Sequence, residues 1–297
     1  MQAGALIAMS ILEFAANRQA IWSATANSLK SRIDLARKAS FFLSIVGALV
    51  ASLASMQAAD GIVRTILISV GSVALAITGI IGSQILTSEG IRRQIRARAA
   101  SEALKREAYL YATAAGGYSD PGTRNDKLKA ALEEIESQIT DLALIQQQAP
   151  GATPFPRSDL SFADYLEARV KGQIAYYGKR SQEYNKASKI LHAVELALAF
   201  VAAILTALAG VIGKGPFDIA AIIGVFTTCA AAVAAHLHAS HYDDLVVSYR
   251  AAGSKLEYLT ATTDENTTSV AALANAAEEI LAAETNSWQA VWSNKSK

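Results

Sequence analysis

Residues 39–59 read ASFFLSIVGALVASLASMQAA, a stretch of 21 residues without a charged side chain. The hydrocarbon core of a bilayer is about 30 Å thick and an α-helix rises about 1.5 Å per residue, so roughly 20 apolar residues are needed to cross it. A helix of this length in a soluble bundle normally carries a polar stripe that faces water. The stretch therefore predicts a transmembrane helix.

Three further stretches have the same character, at residues 65–88, 190–213 and 219–235. The first two contain 24 residues each, and Glu195 is the single charged residue in them. The third contains 17 residues, and it reaches a sufficient length if it continues through His236. Glycines in the gaps at 57–64 and 213–216, with a proline in the second, favour tight turns between helices. The sequence thus predicts two helical hairpins.

Composition supports an all-α integral membrane protein. Apolar residues make up 52% of the chain and charged residues 18%, against about 25% charged in soluble domains. The net charge of +1 gives no basic surface of the kind that binds nucleic acid. Cys229 is the single cysteine, so a disulfide within the chain and a cysteine-based metal site are excluded.

Basic residues lie on one side of both hairpins. They precede the first and third spans and follow the second: Lys30, Arg32, Arg37, Lys38, Arg92, Arg93, Arg96, Arg98, Lys179, Arg180, Lys186 and Lys189. The two tips hold only Arg64 and Lys214. The positive-inside rule therefore predicts that both termini and the flanking helices are cytoplasmic.

The parts recur in the same order in both halves, which predicts two tandem units. The first unit covers 1–148, with spans at about 40–59 and 65–87 and a closing helix at 126–147. A linker rich in proline and glycine covers 149–158. The second unit covers 159–297, with spans at about 190–213 and 217–238 and a closing helix at 269–293. Because no proline separates the spans from their flanking helices, we expect these helices to continue unbroken into a cytoplasmic bundle.

Two sets of residues are candidates for helix packing or oligomer contacts. Tyr165, Arg169, Tyr176 and Arg180 fall within about 60° of one another on a helix, which suits an interface, a ligand-sensing surface or packing in the bundle. The second span carries the small residues Gly71, Gly79 and Ser83. Small residues let membrane helices approach closely, within one chain or between chains.

Titratable residues cluster around the last two spans. Glu195, His192, His236 and His238 are candidates for lining a pore or polar cavity, since ionisable groups in a membrane usually face one. A carboxylate at headgroup level is the alternative for Glu195. His238 and His241 have a spacing that can bind metal, but a polar cluster beside the membrane is the preferred interpretation. No catalytic, cofactor or metal motif occurs, so we expect a protein that is not an enzyme.

The second half resembles the SMODS- and SLOG-associating two-transmembrane effector (SLATT) domains of bacteria. The resembling segments are YLEARVKGQIAYYGKRSQEYNKASKILH at 165–192, LEYLT at 256–260 and AEEILAAETNSWQ at 277–289. Their most specific features are a Tyr-Tyr pair with Arg180 three residues on, and the spacing of Glu278, Glu284 and Trp288; the last is a further packing candidate. The first half resembles a more distant SLATT unit through Arg18 and Trp22, but it lacks the Tyr-Tyr pair.

The resemblance implies an effector of a bacterial anti-phage or conflict system in the inner membrane. Such effectors are regarded as oligomers that form pores and depolarise the cell. The partners implied are the lipid bilayer, further copies of the chain and a nucleotide-sensing or nucleotide-generating protein. The alternative is a membrane scaffold or signalling adaptor, whose cytoplasmic bundle recruits partners while the spans only anchor it.

Overall fold

The computed structural model describes residues 10–55, 61–148, 155–212 and 219–294. The side chains of Ile212 and of residues 288–294 lie outside this description, so nothing is stated about the packing of Trp288. Residues 57–60 of the first predicted turn, the whole second predicted turn, residues 149–154 of the linker and the ends of three predicted spans also lie outside it.

The described residues form helices, numbered α1 to α9 in chain order, and no strand occurs among them. The first half contains α1 (Ile11–Ser55), α2 (Ile62–Gln84), α3 (Ser88–Ala112) and α4 (Arg124–Ser137), then a 3₁₀ helix (Thr140–Ile145). The second half contains α5 (Phe162–Tyr165), a π-helical segment (Leu166–Lys171), α6 (Gly172–Ile212), α7 (Ile219–Ser240), α8 (Tyr242–Thr262) and α9 (Val270–Asn294).

The predicted membrane fold is confirmed by four helical stretches long and apolar enough to cross a bilayer. They lie in α1, in α2, in the stretch from α5 through α6, and in α7 with α8. Only 6% to 11% of each apolar window is buried within the protein. Large apolar side chains such as Leu53, Ile80, Leu196 and Phe200 are exposed along these helices. Water would disfavour such contiguous apolar surface, whereas lipid solvates it.

The prediction of unbroken helices is correct for α1 and α6, which lead into the first and third spans. It is wrong after the second and fourth spans, where α3 and α8 begin as separate helices. A break separates α2 from α3, where the Thr87 hydroxyl accepts a hydrogen bond from Gly90 N at 3.1 Å and caps α3. A second break lies at His241, whose φ is +50°, before α8 begins with two acidic residues in its first turn. Capping side chains and acidic first turns start a new helix at these points without proline.

Contacts divide the chain into two compact units that alternate along the sequence. The bundle unit consists of residues 1–30, 91–181 and 247–297, and the span unit of 31–90 and 182–246. This division concerns compactness, whereas the tandem boundaries at 148 and 159 concern the order of parts, so those boundaries stay a prediction.

The core of the bundle unit is built on apolar faces of several helices. Leu104, Leu256 and Leu273 are completely buried or nearly so. Over the predicted closing helix 126–147, α4 ends at Ser137 and the 3₁₀ helix follows. Apolar side chains along this range are nevertheless buried on one side: Leu128, Leu132, Ile139 and Leu142.

Candidate functional site

A buried ion pair joins the π-helical segment to α9 in the bundle unit. Arg169 Nε donates to Glu278 Oε1 at 2.8 Å, and Arg169 Nη2 donates to Glu278 Oε2 at 2.9 Å. The Tyr165 hydroxyl donates to the same Oε1 at 3.1 Å. The Arg169 side chain is 4% exposed and that of Glu278 is 1% exposed. These three residues are called the Glu278 clamp.

Neighbouring side chains stabilise the charged groups of the Glu278 clamp. The Arg169 guanidinium lies 4.7 Å from the centre of the Tyr109 ring, close enough for a cation–π contact. Burial raises the pKa of Tyr165, and the Glu278 carboxylate adds to the rise. Burial opposes the charge of Arg169, but Glu278 outweighs it and raises the pKa of Arg169. The clamp therefore holds a charged arginine and a neutral tyrosine.

A second clamp of the same kind lies in the first half. Arg18 on α1 donates through Nε and Nη2 to the two carboxylate oxygens of Glu136 on α4. Trp22 Nε1, one turn further along α1, donates to Glu136 Oε1 at 3.2 Å. These residues are called the Glu136 clamp. Its ion pair is more accessible, with side chains 21% and 27% exposed.

The two clamps share one design. In each half, an arginine and an aromatic donor lie four residues apart in the helical stretch before the first span, with the aromatic residue after the arginine in the first half and before it in the second. Both donors bind one glutamate of the closing helix, with the arginine in a two-pronged contact, which fixes orientation as well as distance. The two clamps are thus alike in the kinds of side chain they use, while the order of these residues along the chain is reversed, so the tandem repeat stays a prediction.

Sequence reasoning selected Tyr165 and Arg169 but did not pair them, and it missed Glu136. The structure places Tyr165 and Arg169 inside the bundle unit, whereas Tyr176 and Arg180 are exposed. The Arg180 guanidinium lies 5.8 Å from the centre of the Tyr176 ring. The Arg18–Trp22 spacing on a helix was the available signal for the first clamp.

The predicted polar residues of the third span lie in the span unit beside α8. His192 Nδ1 is 3.5 Å from Glu195 Oε2, and His192 Nε2 is 3.5 Å from Asp243 Oδ2. The Ser188 hydroxyl donates to Asp243 Oδ1 at 2.7 Å. Glu195 thus has a histidine neighbour at the beginning of its span, and His192 links it to α8.

The other two predicted histidines occupy different surroundings. The His236 ring lies 5.4 Å from Phe41 and 6.3 Å from Tyr242, between centroids. The His238 and His241 rings are 6.0 Å apart. Within the described ranges, no three histidine, cysteine, aspartate or glutamate side chains come together as a metal site.

The small residues of α2 divide between two faces. Gly71 is buried, and a Cβ there would lie 3.5 Å from Gly47 O on α1, so this glycine serves packing within the hairpin. A Cβ at Gly79 would meet no described atom within 4 Å. Gly79 and Ser83 are exposed, and so are Ser72 and Ala76 in line with them. Their spacing forms one open small-residue stripe on α2.

Comparison with protein families gives one match in each half of the chain. A family described as "SMODS and SLOG-associating 2TM effector domain 1" matches residues 165–288. A family described as "Protein of unknown function (DUF4231)" matches residues 20–126. No curated protein and no solved structure matches the chain.

Proposed function

Residues 165–288 form a SLATT domain, so the chain is a SLATT-domain membrane protein, and from this premise we propose that it assembles in the membrane into a pore. The family description names an effector domain with two transmembrane segments. The pore would permeabilise or depolarise the inner membrane of a bacterial cell as part of an anti-phage or conflict response.

The observation that carries this proposal is the open small-residue stripe on α2 (Ser72, Ala76, Gly79 and Ser83). Lipid tails are as apolar as leucine, so membrane helices associate through close packing of small residues. Gly71 serves that purpose within the hairpin, but no described residue packs at Gly79. A second copy of the chain is the natural partner for a face of this kind.

The number of spans also supports assembly from several subunits. Four helices in one chain enclose little water when they pack together, so an aqueous path requires spans from several copies. We assign the polar residues Glu195 and His192 to the path or its mouth, because ionisable groups within spans favour polar surroundings.

Further parts of the proposal concern location and partners. The basic flanks support cytoplasmic termini and insertion in the inner membrane from the cytoplasmic side. Activation would come from a nucleotide-sensing or nucleotide-generating protein that contacts the bundle unit. The chain would act by assembly and conduction, without catalysing a reaction or binding nucleic acid.

Ion or dye release from liposomes tests the pore. Release should rise more steeply than linearly with protein density, because several chains form one path. Gly79→Leu places a bulky side chain in the stripe and should reduce both release and crosslinked oligomers. Val73→Phe is the matched control, since Val73 is exposed on α2 outside the stripe. An intact permeability barrier at all protein densities would contradict the proposal.

A membrane scaffold is the second candidate, and the size of the bundle unit favours it. A scaffold needs the spans only as an anchor. Replacing Glu195, Gly79 and Ser83 should then leave toxicity in cells unchanged, whereas the pore requires these changes to reduce it.

A further inference from the structure

A cavity of about 260 Å³ lies within the bundle unit, apart from both clamps' carboxylates. Residues of α1, α3, the π-helical segment, α6 and α9 line it, and most of them are polar or charged. Ligand pockets in proteins commonly hold about 300–1,000 Å³. The cavity therefore suits a small metabolite rather than a large cofactor or a peptide.

One wall carries an amide of a largely buried residue that has no hydrogen-bond partner among the described residues. Gln94 on α3 lines the cavity and is 7% exposed. Its side chain makes no hydrogen bond to any residue within the described ranges. Its polar atoms are not enclosed by the protein but stay accessible from the cavity. A ligand in the cavity can therefore form hydrogen bonds with the Gln94 amide.

The charges around the cavity favour an anion, because its lining holds four cationic side chains against two carboxylates: Lys30, Arg98, Lys105 and Arg169, against Glu102 and Glu284. The Lys105 ammonium is held by Glu102 at 3.2 Å, and Arg169 is held by Glu278. Lys30 on α1 also lines the cavity, and it forms no ion pair with the part of the chain that the structure describes. An ammonium in a partly enclosed polar space attracts a carboxylate or a phosphate.

The remaining walls add shape and hydrogen-bonding groups. Tyr176 and Tyr177 line one side, with ring centres 5.7 Å apart. Glu284 lies beside them, 3.4 Å from the Tyr177 hydroxyl. A π-helical segment supplies Arg169 to the same cavity, and such segments occur frequently at functional sites.

We propose that this cavity binds a small organic anion, whose carboxylate or phosphate contacts Lys30 and whose polar groups bond the Gln94 amide. Both halves of the chain contribute residues to the cavity walls. A bound anion would therefore link α1 and α3 to α6 and α9 within the bundle unit. The site does not depend on the proposed pore, because binding can be measured without a membrane gradient.

The test uses the full chain in a neutral detergent. Inorganic phosphate, O-phosphoserine and succinate serve as probes, and binding is followed by calorimetric titration and by the unfolding temperature. We expect at least one probe to bind with a dissociation constant at or below the millimolar range. Comparing the two phosphate-containing probes with succinate shows whether the cavity prefers a phosphate or a carboxylate. Lys30→Met should weaken that binding about tenfold or more, because it removes a charged contact.

Two further variants decide the result. Lys179→Met removes an exposed lysine on α6 outside the cavity and should leave binding unchanged. Ser23→Phe fills the cavity from α1 and should abolish binding, which provides a second readout if Lys30→Met does not fold. The proposal is overturned if no probe binds at 10 mM or less (about 2.7 kcal/mol of binding free energy), if Lys30→Met binds as tightly as the parent, or if Lys179→Met loses as much affinity.

Discussion

The Glu278 clamp gives the sharpest energetic prediction. Arg169→Met leaves the Glu278 carboxylate buried, with the Tyr165 hydroxyl as its remaining donor in the clamp. Breaking a buried ion pair by removing one partner costs about 3–5 kcal/mol, because the other charge stays buried without compensation. For a folded body of 150–250 residues, each kcal/mol lowers the unfolding temperature by about 2–4 °C. We therefore expect the variant to unfold about 6–20 °C below the parent.

A double-mutant cycle separates the pair from its parts. Glu278→Leu alone should also destabilise the protein strongly, but Arg169→Met with Glu278→Leu should be much more stable than the sum of the two losses predicts. Two apolar side chains of similar volume can replace a buried ion pair at little net cost. The measurement is scanning calorimetry of the full chain in detergent, with circular dichroism to confirm that helix content is retained.

The Glu136 clamp supplies the matched comparison. Its ion pair is more exposed, and partly exposed pairs contribute about 1 kcal/mol or less. Arg18→Met with Glu136→Leu should therefore show a smaller coupling than the Glu278 cycle. Additive losses at Arg169 and Glu278, or a larger coupling at the exposed pair, would refute the reasoning that burial determines the strength of each clamp.

Three more predictions concern the bundle unit. Burial raises the pKa of Glu284, so the protonated carboxyl stabilises the folded protein fully below the unfolded-state pKa, and this contribution is lost as pH rises through the folded-state pKa. In thermal scans, the unfolding temperature of Glu284→Gln relative to the parent should therefore be higher at pH 8 than at pH 5. The same difference between variant and parent at both pH values would contradict this. Gly116 has φ of +57°, so Gly116→Ala should cost about 1 kcal/mol in thermal unfolding, and Gly117→Ala serves as the control and should cost less. Leu104→Ala removes a fully buried side chain and should cost about 2–5 kcal/mol, with a loss below 1 kcal/mol indicating that the core packs otherwise.

Several features were available from sequence because they depend on neighbouring residues alone. A transmembrane helix needs only a sufficiently long run of apolar side chains, so the stretch 39–59 alone predicted a membrane-spanning helix. The breaks after α2 and α7 also had a local signal that the expectation of continuous helices overlooked. Thr87 before Glu89 is a typical start of a helix, and Asp243 and Asp244 are acidic residues of the kind that favour a first helical turn.

The sequence by itself determined that this chain is helical and crosses the membrane, because solvation by lipid is settled residue by residue along each segment. Only the tertiary structure paired Arg18 with Glu136 and Arg169 with Glu278, since these partners lie more than 100 residues apart. It alone distinguished Gly71, which packs on α1, from Gly79, which faces outward. Partner choice and the direction in which a face points arise from the packing of distant helices, which a local pattern can suggest but does not specify.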